Sequence, residues 1–225
     1  LVLNHVPDSH IPEETRQRVL QAASELGYVP DAVAQSLVSG RSRIIGLVLS
    51  RNSHHIASDA FLTQLIDNLT SQIRQRRMHL LLEIVEEDAS LDTYRSLIFS
   101  NRMDGVLFSG PRFHDQTLDA LQKMNFPTVL IGQIESDVFP SVDIDNQAAA
   151  YQAVQHLIQL GHTRIGCITN APFSYTAATD RRDGYFWALE EAGIIPDNSL
   201  VREGEFDPES GYNKTLDLFQ VAPHP

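Results

Sequence analysis

The segment from Gly27 to Ser50 constrains the fold more than any other part of the chain, because it sets a very short predicted helix before a buried strand. Asp31 can cap this helix, since its carboxylate can accept hydrogen bonds from first-turn amides, and Gly40 can end it in the left-handed conformation. About seven or eight residues lie between them, fewer than the roughly twelve that an isolated helix needs in water. The helix therefore needs a partner. An apolar Leu37 close to the basic Arg41 predicts a polyanionic partner that can admit a wedge, namely DNA.

Composition excludes several classes of protein. With 225 residues, 42% of them hydrophobic, the chain can bury a sizeable core and is longer than one small domain requires. It contains no run of about 18 apolar residues, as a transmembrane helix would need, and its first residues lack the charged start and apolar block of a secretory signal. The single Cys167 excludes an internal disulfide and fits a reducing compartment. We therefore expect a cytoplasmic protein with no membrane partner.

Charge is distributed unevenly along the chain. The net charge of −12 argues against a protein that binds nucleic acid over its whole surface. Residues 1–51 carry five arginines and five carboxylates and are neutral, so the later residues carry all of the excess acid. We expect DNA to contact only the first part of the chain.

From Ile44 onward, short apolar runs alternate with amphipathic stretches at helical spacing. This alternation predicts an α/β fold with a parallel sheet. The predicted strands are 44–49, 78–85, 104–109, 128–132, 141–144, 164–169 and 200–206. The predicted helices are 59–76, 89–101, 115–125, 147–160, 176–192 and 208–219, and an amphipathic helix at 13–26 precedes them all.

Several motifs occur in the order in which the LacI/GalR family of bacterial transcriptional regulators has them, and the chain resembles that family. Gly27–Pro30 matches the Gly-Tyr-x-Pro that ends the family's headpiece helix, Val33–Leu37 matches its x-Ala-x-Ser-Leu hinge helix, and Ile45–Val48 matches its Ile-Gly-Leu-Val strand. The resemblance continues through Ser141–Asn170, Arg181–Gly193 and Glu203–Tyr212 and covers essentially the whole chain.

The resemblance implies four parts. Residues 1–30 would form part of a helix-turn-helix headpiece, and residues 31–43 the hinge helix and linker. Residues 44–161 would form the N-terminal lobe of an effector-binding domain, and residues 162–225 part of its C-terminal lobe. The two lobes would be Rossmann-like, as in periplasmic binding proteins. Because the family's pattern extends past both ends, we expect the headpiece and the C-terminal lobe to continue outside this sequence.

Three residues are candidate DNA contacts. A leucine at position 37 could belong to the core of a short helix, but the resemblance implies a wedge between base pairs in the minor groove. Ala34 lies one turn earlier on the same face, and its small side chain permits close approach to the groove. Asn4 stands where the family contacts a phosphate, which sets register rather than sequence preference.

Four residues are candidate effector contacts. Asp143 and Asp145 end a predicted strand, where paired carboxylates could serve acid–base catalysis but more often bind a ligand or cap a helix. The resemblance places Asp145 and Asn146 at the effector cleft. It also puts Arg181 where the family has an arginine that forks onto sugar hydroxyls or a base, a use suited to planar guanidinium donors. Phe61 stands where an aromatic ring stacks against the effector.

The resemblance implies a homodimeric transcriptional regulator, a repressor, that binds operator DNA and a small sugar or nucleoside-like effector. The same fold could serve a solute-binding protein of a sugar transporter, but the hinge segment argues against this alternative. An enzyme is a third possibility, yet the chain has no nucleophile–base motif, metal-binding spacing or glycine-rich nucleotide loop. We therefore expect no catalysis and no cofactor or metal, and we expect Trp187 to lie in the core.

Overall fold

The computed structural model describes residues 2, 11–28, 31–50, 59–85, 91–99, 103–135 and 137–225. The predicted DNA contact Asn4 lies outside these residues. The helices are α1 (Glu13–Glu25), α2 (Ala32–Ser39), α3 (Ala60–Gln75), α4 (Leu91–Phe99), α5 (Gln116–Lys123), α6 (Asn146–Gln159), α7 (Thr176–Glu191) and α8 (Pro208–Leu218). The strands are β1 (Ile44–Ser50), β2 (His79–Val85), β3 (Gly105–Ser109), β4 (Thr128–Ile131), β5 (Ser141–Val142), β6 (Cys167–Thr169) and β7 (Val201–Glu203). This order confirms the predicted α/β fold.

Two parallel sheets organise the chain. The five-stranded sheet has the order β2-β1-β3-β4-β5, and β6 pairs with β7 in a separate two-stranded sheet. Every strand pair in both sheets is parallel. Because parallel strands all end at one edge, the carboxyl ends of β1, β3, β4 and β5 lie side by side, where ligands bind in such folds.

The interior strand β1 is buried on both faces, which explains its uninterrupted apolar sequence. Leu47 and Leu49 pack with Leu62 of α3 on one face of the sheet. Val48 packs on the opposite face with Tyr94 of α4 and with apolar residues of α5. The five-stranded sheet and these three helices form what we call the first lobe, residues 44–142.

Helices α6 and α7 pack together with β6, β7 and α8 in the second lobe, residues 146–225. Gly184 permits this close approach, because a Cβ atom there would lie 2.1 Å from the carbonyl oxygen of Gln147. Val154 of α6 shares an apolar cluster with Tyr185 of α7. The expected lobe boundary at residue 161 falls at the far end of α6. The packing of α6 on α7 instead favours a crossing between the lobes at residues 143–145.

The short helix α2 has both of its predicted caps. Asp31 accepts a hydrogen bond from the amide of Ala34 at 3.2 Å, and Gly40 has a φ of 66° at the other end. Helix α1 begins at Glu13, and Pro12 at its N-cap position provides no side-chain cap. Among the described residues, every helix is too short or too polar to span a lipid bilayer.

Candidate ligand cleft and DNA-facing helix

A cavity of about 520 Å³ lies between the two lobes, at the carboxyl edge of the five-stranded sheet. Its size falls within the range of small-molecule sites. The first lobe contributes Asp59, Phe61, Leu65, Ser109, Gly110, Pro111, Ile131, Gly132 and Val142 to the wall. Asp143 and Ile144 of the crossing also line it, and the second lobe contributes Asn170, Ala171, Tyr175, Thr176, Ala177, Ala178, Arg181 and Phe206.

Phe61 supplies an apolar surface to the cleft. The residue is 64% exposed, although a ring of this size is usually buried. Asp59 accepts a hydrogen bond from the amide of Leu62 at 3.0 Å and so caps the helix turn that carries Phe61. An exposed ring on a fixed helix end, beside a mainly apolar cavity that carries a few polar groups, suits the apolar face of a sugar ring or a base.

Arg181 lines the same cavity from the second lobe. It lies on α7, and its guanidinium donates a hydrogen bond to the side-chain oxygen of Asn170, which directly follows β6. A guanidinium carries five N–H donors in a fixed plane. Asn170 therefore orients the group and leaves further donors for oxygen atoms of a ligand.

Three residues at the crossing between the lobes, Asp143, Asp145 and Asn146, differ in their access to the cavity. Asp145 caps α6 by accepting from the amide of Ala148 at 2.8 Å, and the cavity wall includes Asp143 but not Asp145. Asn146 is 1% exposed, and its amide donates to both carboxylate oxygens of Asp143, at 3.2 and 3.3 Å. Effector contacts by Asp145 and Asn146 stay predictions. The geometry favours Asp143 for direct contact and Asn146 for holding it.

The crossing is also electronegative. Burial raises the pKa of Asp180 on α7, the nearby carboxylates of Asp143, Asp183 and Asp145 raise it further, and a hydrogen bond with Gln133 only partly offsets this. The net effect is a raised pKa, because the charged form is poorly solvated and repelled. This side of the cleft favours neutral hydroxyl donors or cations over anionic ligands.

Hydrogen bonds tie the two lobes together beside the cavity. The Tyr175 hydroxyl donates to the backbone carbonyl of Ser50 at 2.8 Å. The amide of Thr176 donates to the carbonyl of Pro111 at 3.3 Å. The Tyr175 ring is buried and meets Phe206 edge-on, with 5.0 Å between ring centroids. The lobes therefore have a defined relative position at this end of the cleft.

Helix α2 presents apolar side chains to solvent. Leu37 is 81% exposed, and the exposed Ala34 lies three residues earlier, on the same helix face. This exposure excludes the interpretation of Leu37 as a core residue of the chain. The exposed Arg41 and Arg43 follow four and six residues later, so a basic linker comes soon after the apolar helix in the chain.

A family model described as "Periplasmic binding proteins and sugar binding domain of LacI family" matches residues 42–224. The chain belongs to the LacI family. Relatives within the family include the HTH-type transcriptional regulator AglR of Rhizobium meliloti (strain 1021), 34% identical over 99% of this chain and 62% of AglR. The HTH-type transcriptional regulator CelR of Thermobifida fusca is 30% identical over 93% of this chain and 62% of CelR. This LacI-family chain thus spans a little under two thirds of the length of either relative.

Solved structures of the LacI family superpose over nearly the whole chain. A CelR–cellobiose complex aligns with a TM-score of 0.70 and 29% identity, over 99% of this chain and 65% of that one. The lac repressor dimer bound to operator and the anti-inducer ONPF aligns with a TM-score of 0.78 and 25% identity, over 97% of this chain and 64% of that one. The named relatives are transcriptional regulators rather than enzymes.

Three residues of this LacI-family cleft were not selected from the sequence. Asn170 could have been found, because it directly follows a predicted strand at the sheet edge where ligands bind. The sequence presents Asp143 and Asp145 as a pair, and only the capping geometry of Asp145 distinguishes the two. Tyr175 has no local signal, since its hydrogen-bond acceptor lies 125 residues earlier in the chain.

Proposed function

We propose that this chain belongs to a cytoplasmic transcriptional repressor that binds a specific operator and is controlled by a small molecule held between its lobes. The observation that carries the proposal is the 81% exposure of Leu37 on α2, one short basic linker away from a lobe with a ligand-sized cleft. An apolar wedge beside two arginines suits the DNA minor groove. A solute-binding protein would have no use for such a helix.

The proposed effector is a neutral sugar or a nucleoside-like molecule. Phe61 offers a stacking face, Arg181 offers planar donors, and Asp143 offers acceptors for hydroxyl groups. The carboxylates at the crossing disfavour phosphates and carboxylic acids. The cellobiose-bound structure of the relative CelR supports the sugar class.

We further infer that residues 1–30 belong to a headpiece, that residues 31–43 form the hinge helix and linker, and that the protein acts as a homodimer without catalytic activity. Two copies of α2 would place two wedges on one operator. The edge strand β2 supports the proposed homodimer. Its apolar Leu82 and Ile84 are 39% and 41% exposed, and a second copy of the chain could cover them. The dimer of the related lac repressor on operator DNA supports the same arrangement.

In vitro selection from random duplexes, followed by fluorescence anisotropy with the full-length protein, tests this proposal. We expect one enriched sequence with a Kd of about 10⁻⁸ M or lower and binding at least ~10³-fold weaker to random DNA of the same length. A panel of mono- and disaccharides and nucleosides should contain a ligand that changes operator affinity. No sequence enrichment at low salt would refute the DNA-binding function. Enrichment without any ligand effect would refute only the proposed effector class.

A further inference from the structure

One carboxylate of the first lobe accepts several hydrogen bonds from the linker after α2. Asp104, just before β3, accepts hydrogen bonds from the Ser42 amide at 2.7 Å and the Ser42 hydroxyl at 2.9 Å. Its other oxygen accepts from the Arg43 amide at 2.9 Å. The Ser42 hydroxyl oxygen also accepts from the Ile44 amide at 3.1 Å. Asp104 and Ser42 are 62 residues apart, so this contact joins the linker to a distant part of the sheet.

The contact holds a turn that the backbone would not adopt readily by itself. Arg43 has a φ of 58°, in the left-handed region that is unfavourable for a residue with a Cβ atom. The Arg43 carbonyl accepts from the amide of His79 at 2.9 Å. Linker residues 42 and 43 are thus held by hydrogen bonds with His79 of β2 on one side and with Asp104 on the other. Their direction relative to the sheet is fixed.

Helix α2 itself stands away from the lobe. An open space of about 630 Å³ separates the end of α2 from the sheet, and Leu37, Met78 and Met103 are among the residues that line it. The linker is therefore the continuous physical connection between α2 and the lobe in this part of the structure. Contacts that fix the linker therefore also restrict the position of α2 relative to the lobe.

The negative charge of Asp104 strengthens its hydrogen bonds to the linker. Burial alone would raise the pKa of this carboxyl, but hydrogen bonds from Ser42 and Arg43 and the charge of Arg41 outweigh burial and lower it. Hydrogen bonds to an ionised acceptor are shorter and roughly twice as strong as neutral ones. The group therefore remains ionised at neutral pH with its acceptors occupied by the linker.

We propose that Asp104 is a positioning residue that holds the linker against the sheet and thereby transmits movements of the first lobe to α2. This inference rests on the proposed function, because α2 must be the segment that binds the operator. Asp104 lies at the amino-terminal edge of the sheet, and the ligand cleft lies at the carboxyl edge. Its removal should uncouple the two sites without touching the ligand.

Limited proteolysis, which needs no DNA, tests whether Asp104 holds the linker against the sheet. Arg41 and Arg43 provide trypsin sites inside the linker, and cleavage there follows the population of the released linker when release is fast. We expect Asp104→Asn to speed cleavage after these arginines about tenfold, since at least one hydrogen bond to a charged acceptor is lost. Ser42→Ala, which removes one of the donors, should also speed it. Asp119→Asn, an exposed carboxylate on α5, should not.

Anisotropy and calorimetry on the full-length protein test the transmission. For Asp104→Asn and Ser42→Ala we expect a thermal midpoint lowered by only about 2–4 °C and an unchanged effector affinity. Operator binding should be about tenfold weaker, and the effector-induced change in operator affinity should be reduced at least ~threefold. Unchanged linker cleavage, or faster cleavage with a normal effector response, would overturn the positioning role alone. A wild-type protein that binds no operator would overturn the proposed function and this role with it, even if cleavage changed as expected.

Discussion

Replacing Leu37 with alanine isolates the contribution of the proposed wedge. Because Leu37 is 81% exposed in the free chain, its truncation removes almost no packing, and we expect the free energy of unfolding to change by less than about 0.5 kcal/mol. On DNA the same side chain would be withdrawn from water between base pairs. The substitution removes three carbons, which at about 0.8 kcal/mol each gives roughly 2 kcal/mol. This corresponds to about 30-fold weaker operator binding for each α2 engaged.

Fluorescence anisotropy on the selected operator and on random DNA measures this difference. Leu160→Ala is the matched control, since that leucine is 65% exposed at the end of α6, in the second lobe and away from α2 in the chain. It should leave both affinities unchanged. Nonspecific binding depends on phosphate contacts, so Leu37→Ala should weaken binding to random DNA far less than operator binding. Equal loss on the two DNAs, or a large drop in thermal stability, would refute the wedge.

Three further substitutions test the cleft and the packing behind it. Arg181→Ala should weaken effector binding at least about tenfold in calorimetry, because hydrogen bonds from a charged donor are lost, whereas Arg182→Ala, outside the cavity wall, should not. Gly184→Ala should destabilise the chain by about 3 kcal/mol in urea unfolding, because the added Cβ meets the backbone of α6; Gly211→Ala, with open space around its Cβ, should not destabilise it. Asp180→Asn should raise the thermal midpoint at pH 7 but not at pH 3. A raised carboxyl pKa means that the fold favours the protonated form, so that stabilisation is present at low pH and is lost as pH rises through the folded-state pKa. An equal shift at both pH values would contradict this account.

Local signals in the sequence were sufficient for the elements themselves. The caps of α2 at Asp31 and Gly40 depend only on neighbouring backbone groups, and both were predicted correctly. The alternation of apolar runs with helical spacing gave the order of strands and helices from Ile44 onward, because each element must bury one face or both against its neighbours. Phe61 is exposed and Arg181 lines the cavity wall, so both are accessible to a ligand, and their effector contacts stay predictions.

Contacts between distant residues could not be obtained this way. The expectation that Trp187 lies in the core is wrong, since it is 48% exposed and stacks on Tyr151 with 4.4 Å between ring centroids. The contact of Asp104 with Ser42 likewise could not be predicted. It joins one side chain to one distant turn, and such a contact produces no repeating pattern in the sequence.

Two of the hydrogen bonds that join the lobes have main-chain acceptors. Tyr175 donates to the carbonyl of Ser50, and Thr176 donates to the carbonyl of Pro111, a residue of the cleft wall. A carbonyl group remains whatever side chain the position carries. During divergence of such proteins, the side chain at position 111 can therefore change toward a new ligand while its carbonyl acceptor persists. The fold in this way separates the evolution of ligand preference from the preservation of lobe closure.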